Sequence, residues 1–497
     1  MLCNDGGTLA APDREAPVGI DGLIQSTIAP LQDTMIDTLY WQLGTDPFKG
    51  TKTARLTDWY SHQSRVGARW GSDREAFRTA GEWRIYENTR DIESTGTDVP
   101  TVVIDAGHKA GIAVYLSLRM NDSHDFLLEK GLQDENMSPI KKQHPDWVLD
   151  EKSVQWGRTG LNYAIPEVRA YRMALIEEAI TQYDADGIQL DFCRHPRLFK
   201  QGEEQTGAAL VTQMLRQTRQ LAKQKEETSD RNFGISVRVP HTALSDPTFE
   251  IETWIKEHLV DYLIVAETFG WHYRLPIEPY VKLANQGPVK VLAQNLCAFK
   301  QERVRSARVL FGENNNYYST EQFRAVAARH WMAGADGMFI WNQHFLPYSH
   351  NAAWDPQHWK EIGDPKTLES LDKHYIVGPH DRGGNLPITL NSAGDSADIS
   401  IEIADKFDGP TKPSATLRLT IEQLTRLDDV TFLFNGAMLS RSDATVRFNY
   451  NECVLDFDVS ESIHRGDNKL KITVNARNPH VRSGLKVFHV EALVSPK

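Results

Sequence analysis

Residues Asp184-Ala185-Asp186-Gly187-Ile188-Gln189-Leu190-Asp191-Phe192-Cys193-Arg194-His195-Pro196 decide how this chain is read. Asp186-Gly187 is a turn signal, and Arg194-His195-Pro196 breaks whatever lies between, so the stretch reads as a short buried strand. Side chains alternate along a strand. Ile188, Leu190 and Phe192 therefore share one apolar face, and Gln189 and Asp191 share the other. A polar inner face on a buried strand is unusual. It sets one carboxylate at the strand's C-terminal end, where a parallel α/β barrel keeps its chemistry. An Asp that caps the next helix or pairs with Arg194 is the plainer alternative.

Working outward, the first three quarters of the chain alternates short apolar strands with helical periodicity, the pattern of a parallel sheet. Strands are expected near Leu2–Gly6, Thr38–Gln42, Ala113–Arg119, the opening stretch, Phe233–Val239, Asp261–Glu267, Val289–Asn295 and Gly334–Asn342. Ala-Asp-Gly precedes the fourth and the eighth, a faint repeat of one βα unit. Eight units in order predict a (β/α)8 TIM barrel. An open doubly wound sheet is the alternative, but no glycine-rich phosphate loop follows any strand. The segment Gly44–Val99 is rich in Arg and Trp and shows no long periodicity, so it reads as an ordered loop or lid.

After about Val377 the character changes. Gly378–Pro387 reads as a linker, and beyond it alternating strands recur with turn signals such as Asn435-Gly436. Domains are expected at 1–377 for the barrel and 378–497 for a smaller all-β sandwich with an accessory role. A separate carbohydrate-binding function for it has no support in its residues.

The chain has 497 residues, a formal net charge of −12 and four cysteines, Cys3, Cys193, Cys297 and Cys453, without metal-ligand spacing. The acidic balance argues against nucleic acid as the main partner. No apolar run reaches membrane-spanning length. The first residues lack a basic segment followed by an apolar core, which fits a cytoplasmic chain or one whose leader has been trimmed.

The expected strand ends collect Asn4 and Asp5 from the first strand, Trp41 and Gln42 from the second, and Arg119, Asn121 and Asp122 from the third. Gln189, Asp191, Arg194 and His195 come from the fourth, Arg238 and His241 from the fifth, and Glu267 from the sixth. The seventh gives Gln294 and Asn295, the eighth Trp341 and Asn342. The set contains no zinc-type His pair, no nucleophile elbow and no strand-end lysine for Schiff-base chemistry, so neither metal nor cofactor is expected. Carboxylates, amides and flat aromatic faces remain, the inventory of glycoside hydrolysis on a carbohydrate substrate. Asp191 is the first catalytic candidate. Glu267, ending an apolar strand at a partly buried rim, is the second, as proton donor. Asp122 is the reserve donor and Asp5 a further one. The other strand-end residues are expected to bind substrate. Arginines and histidines crowd the expected mouth (Arg65, Arg69, Arg119, Arg194, His195, Arg238, His241). They suggest an anionic sugar, uronate or sulfate, unless they pair with the site's own acids.

Four motifs carry a resemblance. His144-Pro145-Asp146-Trp147-Val148, Leu161-Asn162-Tyr163, Pro166-Glu167-Val168-Arg169 and the opening stretch from Tyr183 resemble the family-10-like glycosyl hydrolases. That family reads His-Pro-Glu-Trp, Leu-Asn-Pro, Pro-Glu-Val-Arg and Asp-Gly-Ile-His-Phe-Asp-Asp-Tyr-Arg-Tyr-Pro at the same places. The resemblance implies a (β/α)8 barrel acting on glycosidic bonds, with Asp191 as the strand-four carboxylate. This chain departs from it with Gln189 for the family's His and Phe192-Cys193 for Asp-Tyr, so a second strand-four acid is missing. More distantly, Asp191 followed by Arg194-His195 is similar to the α-amylase fourth strand, although strand five here carries no acid. An Asp on strand four with an acid on strand six resembles the α-galactosidase and α-glucosidase arrangement, which implies retention of configuration. Two rivals stay open: a non-catalytic polysaccharide-binding protein on a degenerate barrel, and a metal-dependent carbohydrate lyase or isomerase.

Overall fold

The computed structural model describes the chain except residues 11–13, 45–58, 70–76, 78–79, 124–136, 150–158, 194, 268–272, 297–317, 342, 344–355, 379–384, 410–411 and 497. Contacts divide it into two units: Met1–Gly270, Pro276–Gln294 and Ala335–Trp354, and then Trp271–Leu275, Asn295–Gly334 and Asp355–Lys497.

The first unit holds a closed parallel barrel. Its strands are β1 (Leu2–Asn4), β2 (Thr38–Gln42), β3 (Ala113–Arg119), β4 (Gly187–Asp191), β5 (Gly234–Pro240), β6 (Tyr262–Ala266), β7 (Lys290–Gln294) and β8 (Gly337–Trp341). Each pairs with its neighbours in sequence order, and β1 closes the ring against β8. All eight expected strands are present: the second and third run as expected, the fifth is shifted by one residue, and the others are shorter than expected.

The repeated Ala-Asp-Gly has a physical reason. Asp186, just before β4, accepts from the backbone N–H of Val114 on β3 at 2.7 Å. Asp261 does the same for Ile235 on β5 at 2.7 Å, and Asp336 for Val291 on β7 at 2.9 Å. Alternate strands thus begin with a carboxylate that satisfies the second amide of the strand before. In the first copy the glycine has its own cause: a Cβ at Gly187 would collide with the Tyr115 ring, which also blocks a Cβ at Gly234 at the start of β5. The tilted rings of Tyr115 and Tyr40, 5.2 Å apart, help fill the barrel.

Within Gly44–Val99 the sequence reading missed the helix Ala80–Ser94. Its buried stripe is Glu82, Ile85, Asn88, Thr89 and Ile92. Three of those five are polar, so the apolar period that marks a helix is broken. Asn88 is buried because it works on backbone, accepting from Val18 N–H at 2.9 Å and donating to the Leu9 carbonyl at 2.6 Å.

The second unit holds a six-stranded and a four-stranded antiparallel sheet. The first comprises β9 (Lys373–Val377), β10 (Ile388–Leu390), β12 (Ser414–Glu422), β15 (Thr445–Asn449), β16 (Glu452–Asp458) and β18 (Leu485–Ser495). The second comprises β11 (Ser396–Ile403), β13 (Asp429–Phe434), β14 (Ala437–Leu439) and β17 (Gly466–Ala476). The strict buried–exposed alternation of Ser396–Ile403 is what a half-covered sheet requires. Inward residues such as Ile401, Leu417, Phe432 and Val490 make the core.

This unit carries two acid-sensitive groups. Burial raises the Glu491 carboxyl, but the bond and charge of His374 outweigh it and hold the group down at about 2. Burial, then Arg329 and Arg274, push His330 down to about 3, and neither of its ring nitrogens has a partner among the described residues. Both folded values lie below those of an unfolded chain, so both contributions are present near neutrality and fade as pH falls. The His330 part fades from about 6.5 and the Glu491 part from about 4.5. Thermal melts of this unit's transition should fall steadily from pH 7 to pH 3. His330→Leu should flatten the limb between pH 6.5 and about 4; an unchanged limb would contradict the assignment.

Candidate active site

Alternation sends Cys3, Tyr40, Gln189, Asp191, Ser236 and Arg238 into the barrel; Tyr40 reaches across it to Ser236 Oγ at 3.3 Å. Register aligns Arg119, Asp191 and Arg238 on the neighbouring strands β3, β4 and β5, one row at the C-terminal ends. This row is the base of the candidate site.

Asp191 is 2 % exposed and Arg238 0 %. Arg238 Nη1 lies 3.0 Å from Asp191 Oδ2 and 3.3 Å from Oδ1, and the Cys193 N–H donates to Oδ1 at 2.8 Å. The remaining guanidinium donors go to Gln294: Nη2 at 2.7 Å and Nε at 3.2 Å, both to Oε1. Gln294 Nε2 then donates to the Glu267 carbonyl at 3.1 Å. Trp341 and Phe339 on β8 lie against the guanidinium at 4.8 and 5.5 Å to their ring centres. Burial alone would lower the Arg238 pKa, but Asp191 foremost outweighs it and holds the group above its ordinary value. The Cys3 thiol is pushed up by burial and then by Asp191.

Glu267 follows β6 and is 2 % exposed; its Oε2 sits 3.3 Å from Nδ1 of the partly exposed His241 beyond β5. On the other side of Asp191, Arg119 binds Asp122 at 2.7 Å and approaches Asp5 at 3.7 Å. His195 Nδ1 accepts from the Ser123 N–H at 3.1 Å, which places its ring proton on Nε2 when the ring is neutral. Its 3.6 Å approach to Asp122 Oδ1 is therefore a close approach and not a donated bond in that form.

The structure thus gathers Asp5, Arg119, Asp122, Gln189, Asp191, His195, Arg238, His241, Glu267, Gln294 and Trp341 at the barrel's C-terminal end or just beneath it. Gln189 accepts from Ser117 Oγ at 2.7 Å, one layer below Asp191. Other candidates go elsewhere. Asn4 and Trp41 alternate onto the outer face; Asn4 accepts from Gly6 N–H and donates to Thr8, closing a turn. Asn121 is spent on the backbone of Leu161 and Arg197. Asn295, in the second unit, donates to the Phe323 carbonyl. Arg194 and Asn342 lie outside the described residues, as does Cys297.

The arginine excess also has an internal explanation. Arg65 Nη2 binds Gln182, Arg69 pairs with Glu93, Arg119 with Asp122, and Arg238 with Asp191. Residues that sequence reasoning left out include Lys141, buried with Nζ on the Asp122 carbonyl at 2.8 Å, and Tyr163, whose hydroxyl donates to the Met120 carbonyl. Lys141 lies just upstream of the His144 motif, but its burial has no signal in a Lys-Lys pair. The motif loops themselves are scaffolding. The His144 and Trp147 rings stack at 3.9 Å, and Asn162 N–H donates to the Trp147 carbonyl at 2.7 Å.

A parallel barrel with a buried carboxylate and arginine row at its strand ends defines the class of this first unit. Residues 77–232 match the family described as Glycosyl hydrolase-like 10. The resemblance carried by the motifs therefore holds over that stretch, from the helix Ala80–Ser94 through β3 and β4 to the helix Glu204–Ser229. No curated protein matches the chain. Among solved structures, the glycoside hydrolase domain of PgaB (BpsB) from Bordetella bronchiseptica is similar at 11 % identity and TM-score 0.40, over 73 % of this chain and 97 % of that one. The cycloisomaltooligosaccharide glucanotransferase from Paenibacillus sp. is similar at 11 % identity and TM-score 0.30, over 99 % and 57 %. The GH36 α-galactosidase AgaA from Geobacillus stearothermophilus is similar at 11 % identity and TM-score 0.36, over 100 % and 55 %. The chain spans little more than half the length of the last two. No described helix is long and apolar enough to cross a membrane. Among the described residues no group of three or more His, Cys, Asp or Glu is arranged to hold a metal ion.

Proposed function

We propose that this chain is a glycoside hydrolase that cleaves O-glycosidic bonds in an oligo- or polysaccharide with retention of configuration. The observation that carries the reading is Asp191, a carboxylate fixed at the end of β4 by Arg238 and the Cys193 amide. Its Oδ1 takes two donors and its Oδ2 one, so Oδ2 is assigned to attack the anomeric carbon. Attack forms a glycosyl–Asp191 ester and breaks the bond to the leaving oxygen, which Glu267 protonates. Glu267 then takes a proton from the water that cleaves the ester, restoring both groups. His241 beside Glu267 gives that proton a neighbour near solvent. Of the arginines expected at the mouth, Arg65, Arg69, Arg119 and Arg238 already bind protein groups, which weakens the case for an anionic sugar. A neutral glycan is the preferred substrate class.

The test is release of reducing ends from a panel of neutral, sulfated and uronate-containing glycans by the purified full chain. Retention is read from the anomer first formed, by proton NMR. Because every acid described at the mouth has a cationic or histidine neighbour, binding without hydrolysis is the second reading. A glycan that is bound in the same panel and never cut would establish it.

Glu267→Gln separates the two steps. A general acid contributes about 10²–10⁴-fold. The variant should lose about a hundredfold or more in kcat/KM on native glycosides but far less in kcat/KM on aryl glycosides with acidic leaving groups, since that ratio reports the first step and they need no proton to depart. Equal losses on both would remove Glu267 from the role of acid.

A further inference from the structure

Gln294 and Arg238 were both expected to touch sugar, yet in the structure they are spent on each other. We infer that Gln294 is a positioning residue whose side-chain carbonyl aims Arg238 at Asp191. This rests on the proposed role of Asp191 and deepens it.

The geometry is specific. Arg238 has five N–H donors in a rigid plane. Gln294 Oε1 takes two of them, from Nε and Nη2, on the edge of the guanidinium away from Asp191. With that edge held, the plane is oriented and Nη1 falls on Asp191. Trp341 lies along the guanidinium but, as an aromatic surface, supplies no directional acceptor. Gln294 does, and it is itself fixed: its Nε2 donates to the Glu267 carbonyl. That donation also settles which end of the amide faces Arg238, since only the carbonyl end can accept two N–H groups. Gln294 is 1 % exposed and stands beside Phe339 in the β7–β8 register. Among the described residues this buried amide makes three bonds, all to the two residues that carry or flank the candidate carboxylates. Its place is between Asp191's partner and the strand end of Glu267, and its reach is to protein atoms.

An arginine that is free to pivot would let Asp191 leave its attack geometry, and small misplacements cost turnover steeply. Two full-chain variants separate positioning from packing. Gln294→Met fills the space and offers Arg238 no oxygen; Gln294→Glu keeps an acceptor for Arg238 but exchanges the Nε2 donor for a second oxygen and adds a charge. With a glycan found to be cut, Gln294→Met should lower kcat about tenfold or more and leave KM within about threefold, because substrate binding is untouched. Gln294→Glu should recover kcat to within about threefold of the parent. Asp191→Asn runs in parallel. If it retains activity, the reading of the site fails first. If Asp191→Asn is inactive while Gln294→Met turns over within about twofold of the parent, the positioning role is overturned.

Discussion

Arg238→Met is expected to destabilise the barrel unit by about 3–5 kcal/mol, because it leaves Asp191 as a buried carboxylate without its counter-ion. Both side chains are at most 3 % exposed, so water cannot replace the guanidinium. The loss is mostly the penalty on the stranded acid and not the net worth of the pair. Replacing both members, Asp191→Leu with Arg238→Met, should therefore recover most of it. For a unit of this size each kcal/mol moves a melting temperature by about 2–4 °C, so the single variant should melt on the order of 10 °C lower. The double variant should melt near the parent. A single variant that melts within about 2 °C of the parent would show that Asp191 does not depend on Arg238 as its counter-ion.

Asp191→Asn is expected to lower turnover at least about a hundredfold while the chain stays folded. Asn keeps an oxygen for Arg238 and the Cys193 amide but removes the charge of the proposed nucleophile. It leaves Arg238 with a neutral partner, so a modest fall in melting temperature accompanies the loss. Activity above about a hundredth of the parent would remove Asp191 from the chemistry.

Much of this was legible in the chain. The eight strands follow from short apolar runs and their Asp or Gly starts, and Asp191 is placed by period-two alternation ahead of Arg194-His195-Pro196. What alternation could not give was partnership. Arg238 could have met Glu267 or Asp191; the β4–β5 register opposes Asp191 and Arg238, and a register is not written in either strand alone. Trp41 shows the opposite failure. Its neighbour Tyr40 faces the barrel, so alternation alone would have turned Trp41 outward, yet a tryptophan at a strand end reads as a sugar platform. Asn4, Asn121 and Asn295 look like ligands for hydroxyl groups and turn out to satisfy backbone at turns, a use that leaves no periodic trace. The helix Ala80–Ser94 stayed hidden because Asn88 and Thr89 occupy its buried face. Buried polar groups that bond to backbone are where a pattern of apolar residues carries least information.

A nucleophilic Asp191 forms a bond to the sugar, and trapping that bond tests the proposed role most directly. The measurement is mass spectrometry of the proteolysed chain after incubation with the 2-deoxy-2-fluoro analogue of a glycoside it cuts. One added sugar is expected, on the peptide that carries Asp191, and none in Asp191→Asn. An adduct on another acid, or cleavage that inverts the anomeric centre without any adduct, would contradict it.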